Sequence, residues 1–332
     1  MSAELEHYIP PFVITDKMID LIAEISVWIG KISVNSNQVA NPLLRRENRI
    51  KTIQASLAIE NNTLTIEQVT AIINGKRILG APEEIKEVKN AYEAYEMLLG
   101  MNPASMNDLL KAHGMMMSDL VKEAGMFRSG NVGVFDGEVV VHMAPPSRLV
   151  PELMKNLFDW YQSSKVHPLI KSCVFHYEFE FIHPFADGNG RIGRMWHTLL
   201  LSQWKEILAW IPIETLVKER QGEYYKVLGI ADKNADSSIF IEFMLQAILD
   251  TLREMSDSDQ VDDQVSDQVK RIVTCLGKET LSAIEIMQRL GLSHRATFRK
   301  NYLNPALEAD LIERTIPEKP NSSKQKYRIK KI

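Results

Sequence analysis

The chain has 332 residues, 45% hydrophobic and 25% charged, with a formal net charge of −4; this is an ordinary composition for a folded soluble protein and allows two or three domains. No run of about 18 apolar residues is present, which speaks against a membrane span, and Met1–Pro11 lacks the basic region and apolar core of a secretory leader. The two cysteines, Cys173 and Cys275, lie in apolar helical patterns, so no disulfide framework is implied and a reducing cytoplasm fits best.

Residues 1–102 read as a helical region. Ile19, Ile22, Ala23, Val27 and Trp28 are spaced for one buried stripe of a helix over 16–32. A second helix is predicted from Leu43 to Glu60, ended by Asn61-Asn62, residues that tolerate left-handed backbone at a helix end. Thr65, with Gln68 three residues on, is a capping-box start. Pro82 and Gly100 bracket a further helix. Another is predicted over 107–121, where Met115, Met116 and Met117 read as core packing. Helix formers dominate the composition, so the expected fold class is mainly α.

One stretch departs from that pattern. Val132–Val141 places β-branched runs on both sides of Asp136-Gly137, a dipeptide that favours a two-residue hairpin turn, and Pro145-Pro146 stops the second strand. A lone hairpin is marginal in water. It is either an ornament on a helical domain or an edge offered to a partner's backbone.

The most informative segment is His183-Pro184-Phe185-Ala186-Asp187-Gly188-Asn189-Gly190-Arg191-Ile192-Gly193-Arg194. Apolar residues at helical spacing precede it (Ile170, Cys173, Val174, Tyr177, Phe181) and follow it (Met195, Trp196, Leu199, Leu200). Pro184 disfavours helical backbone at His183, so the segment is a tight loop between two buried helices. Gly188, Asn189 and Gly190 can turn successive N–H groups inward as an anion nest, and the next helix adds the positive end of its dipole. Arg191 and Arg194 can supply charged donors, Asp187 is an oxygen ligand suited to Mg²⁺, and His183 can accept a proton near neutral pH. Each residue alone has a mundane explanation as a cap or turn; the ordered set is hard to explain as packing.

Residues 255–265 are acidic and polar and are read as an exposed linker, with the body of the protein, 103–254, before it. From Ser266 to Ile332 there are 14 Lys/Arg against 7 Asp/Glu, a net of +7, which leaves −11 for the rest of the chain. In this tail a helix is predicted from Leu281, a turn at Gly291-Leu292-Ser293 and a second helix from His294, the spacing of a helix–turn–helix. A two-stranded wing is expected over 315–331, with its tip at 317–323. His294, Arg295, Arg299 and Lys300 are candidates to face phosphates, so residues 266–332 are a candidate surface for DNA or for protein.

His183 to Arg194 resemble the Fic family, whose signature His-x-Phe-x-Asp/Glu-Gly-Asn-Gly-Arg-x-x-Arg they match at every specified position. The resemblance implies a mainly helical core over about 103–249, with a small hairpin, the flap, that 132–141 would form and on which a target protein would dock. It implies a protein adenylyltransferase that moves AMP from ATP to Ser, Thr or Tyr hydroxyls of target proteins and of itself. His183 would deprotonate the hydroxyl. Asp187 would hold Mg²⁺ between the α- and β-phosphates. The backbone of Gly188, Asn189, Gly190 and Arg191 would cradle those phosphates, and Arg194 would take the γ-phosphate. Tyr224 would meet the adenine from one side, and Val140, Val141, His142 and Met143 would line the other.

Ser56-Leu57-Ala58-Ile59-Glu60-Asn61 is similar to the family's inhibitory pattern Ser/Thr-x-x-x-Glu-Gly/Asn, so the helix over about 43–61 would carry Ser56 and Glu60 to Arg194 and occupy the γ-phosphate position. The tail resembles the winged-helix module of some Fic proteins. Two other functions are open by the same resemblance: removal of AMP, and a nucleotide-sensing DNA-binding regulator, against which the intact His183 speaks. Self-association is left open.

Overall fold

The computed structural model of the chain describes residues 8–34, 42–136, 139–258, 263–277, 279–309, 311–320, 322 and 324–330; for 34, 43, 134–136, 139–142, 256–258 and 263–267 it describes the backbone alone. The described residues fall into two compact units, one within 1–34 and 47–253, the other within 35–46 and 254–332.

The first unit is helical. It contains α1 (Asp16–Val34), most of α2 (Pro42–Ile59), α3 (Ile66–Ile73), α4 (Pro82–Glu96), α5 (Met106–Met116), α6 (Val150–Ser163), α7 (Pro168–Ile182), α8 (Asn189–Trp204), α9 (Ile213–Glu219), α10 (Gln221–Asn234) and α11 (Ser238–Ser258). Its centre is the pair α7 and α8, buried almost all round, as helices placed inside a core are. Phe158 of α6 meets Phe175 of α7 edge-on at 5.3 Å and Trp196 of α8 at 6.5 Å, a geometry worth about 0.5–1.5 kcal/mol per pair beyond area. Among the described residues no helix is long and apolar enough to cross a membrane.

Local chemistry explains the element ends. Thr65 and Gln68 form both halves of the expected capping box. Met116 and Met117 are core residues. After Ile59 the chain closes as a Schellman turn: Asn62 N donates to Leu57 O and Asn61 N to Ala58 O, with Asn61 at φ 68°. Glu60 is therefore the capping residue of α2, at a fixed place.

The stripe expected on α1 is corrected. Met18, Leu21, Ile25, Ile29 and Ile32 are buried, whereas Ile19 and Val27 are each 56% exposed and Ala23 is exposed. The helix is apolar on two faces, and the one with the unbroken Met-Leu-Ile row faces the core.

The hairpin consists of β1 (Gly133–Asp136) and β2 (Val139–Met143), antiparallel, with a register break between Val134 and Phe135. Asp136 is the last residue of β1, paired with Val139; Gly137, the other half of the expected turn dipeptide, lies outside the described residues.

The second unit has α12 (Asp263–Leu276), β3 (Leu281–Ser282), α13 (Ala283–Arg289), α14 (Arg295–Phe298), a π-helical turn (Arg299–Leu303), α15 (Asn304–Glu308), β4 (Ile312–Arg314) and β5 (Lys326–Ile329). The three strands form one antiparallel sheet in the order β3-β5-β4. Ile272, Leu276, Ile286, Phe298, Leu303, Ile312 and Tyr327 form its core. Two expectations shift here. Leu281-Ser282 is a strand, and the helix starts at Ala283 because Ser282 caps it through Glu285. The first of the two strands expected over 315–331 is 312–314, ahead of 315. Within the stretch read as a linker, 255–258 continue α11, 263–265 open α12, and 259–262 lie outside the described residues.

Candidate active site

The loop between α7 and α8 is built by its own residues. Helix α7 ends at Ile182, and His183 caps it in left-handed backbone, φ 49° and ψ 61°, its N–H donating to Phe179 O at 2.9 Å. Pro184 imposes this stop. His183 Nδ1 lies 3.3 Å from Glu180 O. A carbonyl can only accept, so Nδ1 carries the proton and Nε2 is the basic nitrogen.

Asn189 fastens the loop from within. Its Oδ1 accepts from Phe185 N at 2.8 Å and its Nδ2 donates to Phe185 O at 2.9 Å. Gly188, at φ 82°, is required twice: for the left-handed turn, and because a Cβ would stand 2.5 Å from Met117 Sδ. Having no side chain, it leaves the first-turn N–H groups of α8 uncapped. The helix itself cannot partner those groups, an arrangement suited to an anion.

Glu60 and Ser56 come from the other side of the sequence. Arg194 donates through Nη2 to Glu60 Oε1 at 2.8 Å and to Ser56 O at 2.9 Å, and through Nε to Ser56 Oγ at 3.1 Å. Burial alone depresses the pKa of Arg194; the Glu60 charge, then Tyr224, the Glu60 hydrogen bond and Glu180 together outweigh it and hold the guanidinium above its ordinary value. A Cβ on Gly190 would overlap the Glu60 carboxylate and press on Arg194 Nη1. Glycine at 190 is therefore what lets Glu60 reach the fork.

Arg191 is engaged elsewhere. Its Nη1 donates to Glu87 Oε1 at 2.7 Å and its Nη2 to both oxygens of Asp187 at 3.2 and 3.3 Å. Glu87 in turn accepts from Asn62 Nδ2 at 2.7 Å, so the end of α2 is tied to Arg191 through α4.

An open cleft of about 270 Å³ is lined by Glu60, His183, Gly190 and Arg194 together with Tyr225 and Asp232 of α10. Tyr224 also reaches the cleft, but its ring is only 1% exposed and its hydroxyl is 2.9 Å from His176 Nε2; its neighbour Tyr225 is 39% exposed. Met143 is 64% exposed. The side chains of Val140, Val141 and His142 lie outside the described residues.

Comparison with known proteins agrees with this geometry. Residues 103–201 match the Fic/DOC family, and residues 267–330 match the C-terminal domain of Fic-like proteins described as "filamentation induced by cAMP protein". A solved Fic family protein from Desulfovibrio desulfuricans G20 is 54% identical, with 98% of this chain and 99% of that one aligned at a TM-score of 0.74. The chain belongs to the Fic family. A curated relative, protein adenylyltransferase Fic of Drosophila willistoni, is 27% identical over 234 residues, 64% of this chain and 43% of the relative. This Fic chain thus spans less than half of the curated relatives it matches. Fic-1 of C. elegans (aa134 - 508), 22% identical at a TM-score of 0.60 over 74% of this chain, shares the fold.

Two residues of this Fic site were not singled out from the sequence. Arg128, almost fully buried, donates to His183 O at 2.7 Å, Gly130 O at 2.9 Å, Ile182 O at 3.4 Å and Pro145 O. It ties the α7–α8 loop to both roots of the hairpin. His113 stacks on Phe185, with ring centroids 3.7 Å apart and planes 3° from parallel. Its Nδ1 accepts from Gly125 N at 2.9 Å, so Nε2 carries the proton and donates to Asp187 O at 3.0 Å. Burial lowers its pKa and keeps the ring neutral, as the bond from Gly125 requires.

Proposed function

We propose that this Fic protein is a protein adenylyltransferase, moving AMP from ATP to a hydroxyl of a target protein or of itself, and that Glu60 restrains it. The observation that carries the reading is the Arg194 fork. A guanidinium beside the glycine-rich loop donates to a carboxylate from a distant helix, and a guanidinium can take a carboxylate or a phosphate. The activity named for the curated relatives supports the same reading.

In this reaction His183 Nε2 takes the proton of the target hydroxyl as its oxygen attacks the α-phosphorus. The bond to the bridging oxygen breaks, pyrophosphate leaves with the electron pair, and His183 returns its proton to solvent. The N–H groups at the start of α8 hold the phosphates, and Arg194 takes the γ-phosphate once Glu60 has left. Asp187 is the residue that would hold Mg²⁺: its side chain is 58% exposed and adjoins the nest, and Mg²⁺ typically takes one or two carboxylates plus phosphate oxygens. Among the described residues no group of three His, Cys, Asp or Glu can hold a metal, so the nucleotide would supply the remaining ligands. When bound, the ion neutralises phosphate charge. Tyr224, Tyr225 and the β2 residues Val140–Met143 would border the base, and the target would dock along 132–141. Cys173 and Cys275 are free thiols, which suits a reducing, cytoplasmic setting.

The test is labelled ATP with the purified chain. Glu60→Gly and Glu60→Gln are both expected to raise self-modification, by roughly tenfold to a hundredfold, the scale on which misplacing a reacting phosphate costs rate. His183→Ala silences either variant. Unchanged or reduced transfer in both Glu60 variants, with the fold intact, would sink the restraint. No AMP adduct under any condition would sink the transfer.

A further inference from the structure

The second unit carries cations that its own architecture does not use. Arg289 is paired bidentately with Glu279 at 2.8 and 2.9 Å, Arg328 with Glu313 at 2.6 Å, and Arg271 with Leu290 O and Tyr302. Arg295, Arg299 and Lys300 form neither ion pair nor side-chain hydrogen bond among the described residues.

Their direction is fixed by packing. From Arg295 to Glu308 the chain is one helical stretch, and Phe298, Tyr302, Leu303 and Ala306 bury one side of it. The opposite side presents Arg295, Ala296, Arg299 and Lys300 to solvent. It follows α13 after a turn through Gly291 at φ 68°, a conformation that glycine adopts without strain. Across 295–308 the sole carboxylate is Glu308, at the far end. The β4–β5 connection adds exposed Lys319 and Lys324, and Lys326 points outward on β5 while its neighbour Tyr327 is buried.

We propose that this unit is a winged helix that binds double-stranded DNA, with the outward face of 295–300 in the major groove and the lysines of the β4–β5 wing on the flanking backbone. The B-DNA major groove, about 12 Å wide, admits a helix, whereas the deep, narrow groove of A-form RNA does not. Arginines at i and i+4 match phosphate and guanine edges bidentately, and Ala296 between them allows close approach. This role is independent of the transfer chemistry and uses none of its residues.

The test is fluorescence anisotropy of the full chain with a labelled 24-base-pair duplex, titrated over roughly 50–200 mM salt, with the matched single strand, duplex RNA and polyglutamate as the other probes. Combined Arg295→Ala, Arg299→Ala and Lys300→Ala is expected to weaken duplex binding at least tenfold. It is also expected to reduce the slope of log affinity against log salt by about 2–3, since each phosphate contact contributes about 0.9. Removing three exposed lysines of the first unit (Lys89, Lys111, Lys165) leaves binding within about twofold although the charge change is the same. If the triple variant unfolds, Lys319→Ala with Lys324→Ala on the wing is expected to weaken duplex binding and to reduce the slope by about 2. The proposal is overturned by no duplex binding at low salt, by equal effects of the two triple variants, or by equal binding of single strands, duplex RNA or polyglutamate.

Discussion

Arg128 offers a test of whether the catalytic loop and the hairpin are one mechanical unit. Arg128→Met keeps the apolar length of the stem and removes every donor. Four carbonyls then lose a partner: those of Ile182, His183, Pro145 and Gly130. Gly130 is exposed, so water replaces that bond. Ile182 is buried and His183 and Pro145 are partly buried, and an orphaned buried acceptor costs about 1–3 kcal/mol. Part of this returns, because burial already lowers the pKa of Arg128, a sign that its charge is held at a cost. The net expectation is a loss of about 2–4 kcal/mol. For a unit of this size that corresponds to roughly 5–15 °C in unfolding midpoint.

A structural arginine and a positioning one differ in a second readout. Arg128→Lys restores a charge and one or two donors but not the fork. It is expected to recover much of the stability while self-modification stays depressed, because His183 and the hairpin roots are no longer held together. Thermal unfolding and labelled-ATP transfer, run side by side on both variants, check this. A wild-type midpoint in Arg128→Met, or a Lys variant in which rate and stability recover in parallel, refutes the reasoning.

Three further outcomes are expected. Asn189→Asp keeps the acceptor for Phe185 N but sets a carboxyl against Phe185 O; the new group must stay protonated to donate, so the variant loses stability relative to wild type as pH rises above about 4, and urea midpoints that do not diverge with pH would contradict the role of Asn189. Burial, and secondarily Asp232, push the Glu178 carboxyl up to about 7, although Tyr8 donates to it at 2.6 Å. A raised folded pKa means stability present below about 4 and lost as pH rises through about 7, so Glu178→Gln is expected to remove about 3 kcal/mol of that loss, read as the difference between the two pH–stability curves. Asn62→Ala cuts the bond to Glu87 and is expected to raise self-modification by a few fold, less than the Glu60 variants; no change at all would mean that the Asn62–Glu87–Arg191 chain is structural only.

What the sequence displayed was the chemistry that is contiguous. His183 to Arg194 is legible because twelve successive residues set their own backbone: Pro184 stops α7, Gly188 turns the chain, and Asn189 closes it. Glu60 was visible as a helical pair with Ser56, but its partner lies 134 positions away and no periodicity points to it. Arg128 and His113 were invisible for a different reason. Their polar groups serve backbone carbonyls and an amide, which every sequence offers everywhere, and the ring that His113 stacks on, Phe185, is remote in sequence. On α1 two apolar rows compete, and periodicity alone does not say which faces the core. β4 is three residues long, too short for an alternating pattern to register.

Gly190 joins the two halves of the proposed mechanism. The anion nest wants a residue without a side chain so that phosphate can approach the backbone, and Glu60 wants the same space. In the proposed reading the catalytic motif is therefore also the seat of the restraint. Substrate and restraint compete for one guanidinium, and a charge-assisted hydrogen bond of this kind is worth about 1.5–3 kcal/mol net. That range corresponds to roughly tenfold to a hundred-and-fiftyfold in population, enough to hold the site closed and small enough to be reversed. The second arginine is restrained through the same helix end, since Asn62 follows Glu60 by two residues and holds Glu87 against Arg191. In the proposed mechanism a displacement of the Schellman turn that ends α2 would part Glu60 from Arg194 and Asn62 from the Glu87 that holds Arg191. The restraint is in this reading a property of one helix terminus, which is why it can be lifted as a single event.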